Sequence, residues 1–156
     1  MKIIAIDPGY ERMGVAIIEK NGPKEELVFS ECFKTLAKEK HETRLRQIGE
    51  EISRLIKKYQ PTALAIETLF FQTNVKTAMK VSEARGVILY ESARSDLMIK
   101  EFSPLQIKVA VTGYGKSDKE QVISMVKRLI EIKKTPKHDD EYDAIAVGLT
   151  YFATTK

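Results

Sequence analysis

The sequence predicts an α/β protein with a five-stranded mixed sheet flanked by helices. Three observations carry that prediction. Apolar runs of strand length crowd the beginning of the chain, helix-length and strand-length segments alternate after them, and the helical segments start and stop at capping signals. With 156 residues, 43% of them hydrophobic, the chain is long enough for one full core. Residues 1–156 are expected to form a single domain.

Strand-like segments occupy residues 2–7, 13–19 and 26–33. Asp7-Pro8-Gly9 and Asn21-Gly22-Pro23 are turn formers, and such short gaps join antiparallel neighbours. A helix is expected over 40–59, where Leu45, Ile48, Ile52, Leu55 and Ile56 recur at helical spacing and Pro61 stands beyond the end. Residues 62–67 read as a buried strand. Reached through a helical crossover, it should run parallel to the first.

Residues 74–95 lack proline and read as a long helix that is apolar on two sides. Val75, Ala78, Met79 and Leu89 lie on one, Val81, Ala84 and Ile88 on the other. One side covers the sheet and the other calls for a partner. Gly86 costs a helix interior about 1 kcal/mol relative to alanine, which implies close packing at that point. The expectation is a homodimer through this helix. A fifth strand over 97–102 leads into Ser103-Pro104-Leu105-Gln106, which combines an N-cap, proline at the first helical position and a capping-box glutamine. Ser117-Asp118-Lys119-Glu120 reads as a second capping box, with Gly113-Tyr114-Gly115 in the connection. The last helix is expected over 139–152, approached through residues 135–138.

A lone cysteine, Cys32, excludes an internal disulfide and fits a small half-buried packing role in a reducing cytoplasm. The first carboxylate follows only six residues, too early for a signal peptide. No apolar run approaches the roughly 18 residues of a membrane span. A cytoplasmic protein without membrane contact is expected. The net charge is +4, but its distribution says more. Residues 101–138 hold Lys108, Lys116, Lys119, Lys127, Arg128, Lys133, Lys134 and Lys137 against Glu101, Asp118, Glu120 and Glu131, while the rest is balanced. Such a zone either is an ordinary solvated face or attracts a polyanion.

Four acids stand where apolar residues belong. Asp7 ends Ile3-Ile4-Ala5-Ile6, Glu67 ends Ala63-Leu64-Ala65-Ile66, and Asp140 and Asp143 open a helix that continues Ala144-Ile145-Ala146-Val147. Buried carboxylates are paired or bind metal. If the first and fourth strands are neighbours, Asp7 and Glu67 project side by side, and Asp140 and Asp143, three apart, share one helix face. Clustered like charges need compensation. Oxygen donors without cysteine favour Mg²⁺ or Mn²⁺, and two such ions, about 3.5 to 4 Å apart, suit phosphodiester hydrolysis. Asp140 taken alone also reads as an N-cap or turn carboxylate.

His138 reads either as a ligand or proton carrier or as a surface histidine, and His41 as a solvated residue at a helix start. Phe70 and Phe71 follow Glu67 and cannot both enter one core. One of them is a candidate for stacking on an unpaired base or wedging a base step.

Ile6-Asp7-Pro8-Gly9 with Gly14, Ala65-Ile66-Glu67 with Phe70, Glu83-Ala84-Arg85-Gly86-Val87, Lys108 before Gly113-Tyr114-Gly115, Lys119 with Gln121-Val122, and Asp140-Glu141-Tyr142-Asp143-Ala144 follow one another over nearly the whole chain. In that order and spacing they resemble the RuvC-type Holliday junction resolvases. The resemblance implies an RNase H-like fold and a homodimeric, metal-dependent endodeoxyribonuclease. It would resolve four-way DNA junctions by paired symmetric nicks during recombination and repair. It implies Asp7, Glu67, Asp140 and Asp143 as catalytic acids, Lys108 and Lys119 beside the scissile phosphate, and Phe70 on bases near the branch point. Lys119 is counted with the catalytic group. Phe71, Lys76, Lys80, Arg85 and Lys116 are further candidate DNA contacts, and branch-migration machinery is an implied partner. Glu141 and Tyr142 replace smaller residues of the family pattern and are expected to make the rim more crowded and acidic. Ser117 replaces alanine and is expected to serve as an N-cap. An aspartate at 140, where some members have histidine, weakens His138 as a ligand. Two other readings stay open: a junction-binding module that does not cleave, and a nucleotide-phosphate-binding lobe like those of sugar kinases.

Overall fold

The structure, a computed structural model, describes residues 1–69 and 75–155, without the side chains of 75 and 76. Ten elements follow in chain order: β1 (Lys2–Asp7), β2 (Arg12–Asn21), β3 (Lys24–Lys34), α1 (His41–Tyr59), β4 (Ala63–Glu67), α2 (Val75–Arg94), β5 (Met98–Phe102), α3 (Pro104–Thr112), α4 (Lys119–Leu129) and α5 (Asp139–Thr154). The sheet order is β3-β2-β1-β4-β5. β1, β2 and β3 form an antiparallel meander, while β4 pairs parallel to both β1 and β5. The mixed five-stranded sheet is thus the one its segments predict.

Alternation along β1 divides the core into two layers. Ile3 and Ala5 face α3, α4 and α5 with Ile107, Val111, Val126 and Ala146. Ile4 and Ile6 face α1 and α2 with Ile48, Ile52, Leu55, Ala84 and Ile88. Asp7 has the parity of Ile3 and Ala5, and Glu67 that of Ala63 and Ala65, so both acids project on the α5 side. Small residues let α5 settle there. A β-carbon at Gly148 would lie 2.6 Å from Ile18 Cδ1 and 3.1 Å from Ala5 Cβ.

The β2–β3 hairpin is longer than its apolar runs suggested. Gly22, at φ 75°, makes the tight turn, and the pairing continues through the charged ends down to Asn21 and Lys24. A register shift at Ile17/Ile18 leaves Val28 without a partner and 42% exposed.

Two sequence expectations need correction. The second capping box is set one residue later than expected: Asp118 is the N-cap, accepting from Gln121 N at 2.8 Å, and the Gln121 side chain accepts from Asp118 N at 2.9 Å. Ser117 is buried instead. Its hydroxyl bonds Thr112 Oγ1 at 2.6 Å and the Tyr114 carbonyl at 2.8 Å, closing the α3–α4 connection. His41 is not merely solvated. Its Nδ1 lies 2.8 Å from the Tyr10 hydroxyl and its Nε2 2.9 Å from Glu83 Oε2, because the fold brings the β1–β2 turn and α2 to the start of α1. Gly86 meets no described atom within 4 Å of where its β-carbon would be. The inward face of α2 carries Ala84 and Ile88, whereas Met79 is 61% exposed.

Candidate active site

Parallel pairing sets Ile6 opposite Ile66, so the next residues, Asp7 and Glu67, sit side by side where the two central strands end. α5 crosses that end of the sheet. Its backbone approaches so closely that a β-carbon on Gly14, the partner of Asp7 in β2, would collide with the Asp140 carbonyl. Glycine at 14 therefore seats the helix that delivers Asp140 and Asp143.

The acids feel one another. Burial above all, then the charges of Glu67, Asp143 and Asp140, push the Asp7 carboxyl well above the usual carboxylate range. Burial and then Asp143 push Glu67 up to about 7, against the hydrogen bond from Asp7 and the charges of Lys108 and Lys119. Asp143 is raised too, by burial first, although Lys119 opposes the shift. Lys119 Nζ donates to Asp143 Oδ2 at 2.9 Å and lies 3.6 Å from Asp139 Oδ2. Burial works to lower the Lys119 pKa, but the bond to Asp143 and the surrounding acids outweigh it and raise the value.

Carboxylates that stay raised despite Lys119 and Lys108 mark a site short of positive charge. Among the described residues, no group of three His, Cys, Asp or Glu side chains closes to metal-binding geometry. The donor chemistry nonetheless fits a hard divalent cation, since all four groups offer carboxylate oxygens. Beside them, Glu67, Lys108, Lys119, Val122 and Asp143 line a cleft of about 250 Å³. Pro104, Ile107 and Ala146 complete its lining.

The other candidates are dispersed. Lys116 is exposed in the α3–α4 connection. Lys80 Nζ lies 5.3 Å from the centre of the Tyr10 ring. Arg85, on the α2 side of the sheet, donates to the Glu67 carbonyl at 3.4 Å and pairs with Glu101. Phe70, Phe71 and the Lys76 side chain lie outside the described residues.

Glu141 and Tyr142 do not crowd the rim as expected. A helix turns about 100° per residue, so the residues between Asp140 and Asp143 point elsewhere. Glu141 is buried against β3, accepting from Ser30 Oγ at 2.9 Å and from Lys137 N at 3.0 Å, and Tyr142 is buried in the α5 layer. His138 is half-buried at the N-cap of α5 and makes no side-chain capping bond. Three neighbours of the acids escaped sequence reasoning. Asp139 contacts Lys119, Arg12 Nε lies 3.7 Å from Asp140 Oδ2, and Cys32 Sγ donates to the same oxygen at 3.7 Å. Burial first, then Asp140, pushes the Cys32 thiol up to about 11, so it stays protonated, a half-buried packing group as expected. Only the i, i+2 alternation of β2 and β3 hinted at Arg12 and Cys32, and it does not reveal what lies across the sheet.

The family model for crossover junction endodeoxyribonuclease RuvC matches residues 3–151. The chain belongs to the RuvC family. A crossover junction endodeoxyribonuclease RuvC of Thermosipho melanesiensis is 50% identical over 148 residues, covering 95% of this chain and 94% of that one. A RuvC of Natranaerobius thermophilus is 42% identical over 151 residues, covering 97% and 94%. RuvC of T. thermophilus, solved in complex with a Holliday junction substrate, superposes with a TM-score of 0.91 at 29% identity over 97% of this chain and 93% of that one. The yeast mitochondrial resolvase Ydc2, at 14% identity and a TM-score of 0.68, shares the fold. As a RuvC-family chain with an RNase H-like α/β fold, this protein is an endodeoxyribonuclease. Among the described residues, no helix is long and apolar enough to cross a membrane.

Proposed function

We propose that this RuvC-family protein resolves four-way (Holliday) DNA junctions by metal-dependent hydrolysis at the Asp7–Glu67–Asp140–Asp143 cluster. Residues 1–156 would act as one nuclease domain in the cytoplasm. The observation that carries the reading is the convergence of four carboxylates from β1, β4 and α5 beside Lys119 and Lys108, with Glu67 raised to about 7.

The four acids would hold Mg²⁺ or Mn²⁺, two ions per site, whose chemistry when bound is to lower the pKa of water and to stabilise the leaving oxygen. Asp7 and Glu67, fixed at adjacent strand ends, set the floor of the site. Asp140 and Asp143 close it from the helix. Lys119 is bonded to Asp143 in the free protein and would turn to the scissile phosphate when that charge is met otherwise. Lys108, which lines the same cleft as Glu67, would meet the same anion. Lys116, Lys76 and Lys80 would hold DNA backbone, and Phe70 and Phe71 would meet unpaired bases at the branch point. Arg85 is bonded to Glu101 and the Glu67 carbonyl, and this pairing supports its anchoring the Glu67 strand end more than its contacting DNA.

Paired nicks require two sites. Met79, Gly86 and Tyr90 face outward along α2 at i, i+7 and i+11, with Met79 61% and Tyr90 63% exposed. This stripe supports a homodimer through α2, and sedimentation as a strict monomer at micromolar concentration would rule it out. A branch-migration complex is a further expected partner. Labelled four-way junction, linear duplex and RNA–DNA hybrid, each with Mg²⁺, Mn²⁺ or EDTA, test the activity. Metal-dependent paired nicks confined to the junction are expected. Binding without cleavage would favour a silent junction-binding module.

A further inference from the structure

Arg12 opens β2 and Lys34 closes β3, and the two are register partners across the antiparallel pair. Two residues inward on the same face are Gly14 and Cys32, against which the start of α5 rests. Arg12 and Lys34 therefore lie just beyond that first turn, at the edge of the acids. They lie on the β2–β3 side, whereas Lys108 lines the cleft that Glu67, at the end of β4, shares.

Two features of this pair are costly for the protein alone. Like charges placed directly opposite on a sheet repel. Among the described residues, the carboxylate within ion-pair distance of Arg12 is Asp140, 3.7 Å from its Nε, a loose contact for a side chain that remains 56% exposed. Among the described residues, no carboxylate lies within ion-pair distance of Lys34. An anion bound between the two would relieve both features, and a planar guanidinium can grip phosphate through two parallel N–H donors.

We propose that Arg12, with Lys34 beside it, binds a backbone phosphate of the DNA strand on the β2–β3 side of the scissile bond. This rests on the proposed function, because the phosphate is that of the junction held at the acids. The contact positions the strand and reads no sequence. Together with Lys108 and Lys119 it brackets the site, so the strand is gripped on both sides of the bond that breaks.

Arg12→Ala, Arg12→Lys and Lys34→Ala test this. Junction binding is measured against salt with Ca²⁺ present, cleavage with Mg²⁺, and thermal midpoints control for folding. Arg12→Ala should weaken binding roughly tenfold, flatten the plot of log affinity against log salt by about one unit, and raise KM more than it lowers kcat. Arg12→Lys should recover the salt slope without the full affinity. A junction carrying a neutral methylphosphonate at the contacted position should bind wild type and Arg12→Ala alike. Unchanged affinity and slope in Arg12→Ala would overturn the proposal. So would a fall in kcat alone, which would mean that Arg12 acts only on Asp140. Wild-type protein that fails to cleave the junction would instead sink the proposed function, while the salt slopes would still decide the Arg12 contact.

Discussion

The Asp140 carbonyl occupies the space where a side chain on Gly14 would begin. One backbone thus presses on another at the point where α5 hands its acids to the strand ends, and Asp7 Cβ is only 3.3 Å from the same position. No flexible side chain is available to give way.

Gly14→Ala should therefore lift the start of α5. A loss of about 1–3 kcal/mol is expected from overpacking, read as a lower midpoint in urea. Cleavage should fall further than stability explains, because Asp140 and Asp143 move away from Asp7 together. A variant with normal stability and normal cleavage would contradict this geometry.

Lys119→Ala removes the cation bonded to Asp143. The lysine side chain is 52% exposed, so the ion pair adds little to folding and the thermal midpoint should stay nearly unchanged. Cleavage should fall by roughly 10²-fold or more, in kcat, if the ammonium meets charge in the transition state. Single-turnover rates on a labelled junction give the answer, and unchanged rates would reduce Lys119 to a solvated lysine.

Asp7→Asn keeps the shape of the side chain and removes one charge from a group held well above the usual carboxylate range. Cleavage should be abolished. Junction binding should hold or tighten, since a charge that repels phosphate is gone. Metal-free stability should rise, because desolvating the carboxylate and its repulsion with Glu67, Asp143 and Asp140 no longer oppose folding. A cleavage assay with Mg²⁺, gel-shift titration and urea unfolding in EDTA separate the three effects.

Glu67 sets a pH dependence. Its folded pKa, about 7, lies above the ordinary 4.5, so the folded state holds a proton that the unfolded state releases. The stability this contributes is full below pH 4.5 and is lost as pH rises through about 7. In EDTA, up to about 3 kcal/mol should disappear across that window. Glu31, also raised to about 7, adds a parallel loss, so the readout is the difference between wild type and Glu67→Gln, whose curve should be flatter. Mg²⁺ should stabilise wild type most above pH 7, where the carboxylates are charged.

Much of this was legible in the chain. Period-two apolar runs set the strands, and the same parity placed Asp7 and Glu67 on one face with Ile3, Ala5, Ala63 and Ala65. Spacing of three put Asp140 and Asp143 on one side of a helix. Other features were illegible for a common reason: they depend on what stands across a gap from a residue. Asp118, rather than Ser117, caps α4 because the Ser117 hydroxyl finds Thr112 and Tyr114. His41 is bonded because Tyr10 and Glu83 arrive from distant segments. Glu141 is buried because Ser30 lies behind it.

By itself, then, the sequence determined which side of each element is apolar and which residue types gather at the strand ends. Hydrophobic periodicity and residue chemistry are properties of a local stretch and need no partner to be read. Tertiary structure alone decided the neighbours: the Asp140 carbonyl over Gly14, Lys119 on Asp143, Arg12 loosely facing Asp140. Charge interactions and steric contact act over a few ångströms between residues far apart in the chain, from 24 positions for Lys119 and Asp143 to well over a hundred for Arg12 and Asp140, and only the folded path of the chain sets those distances.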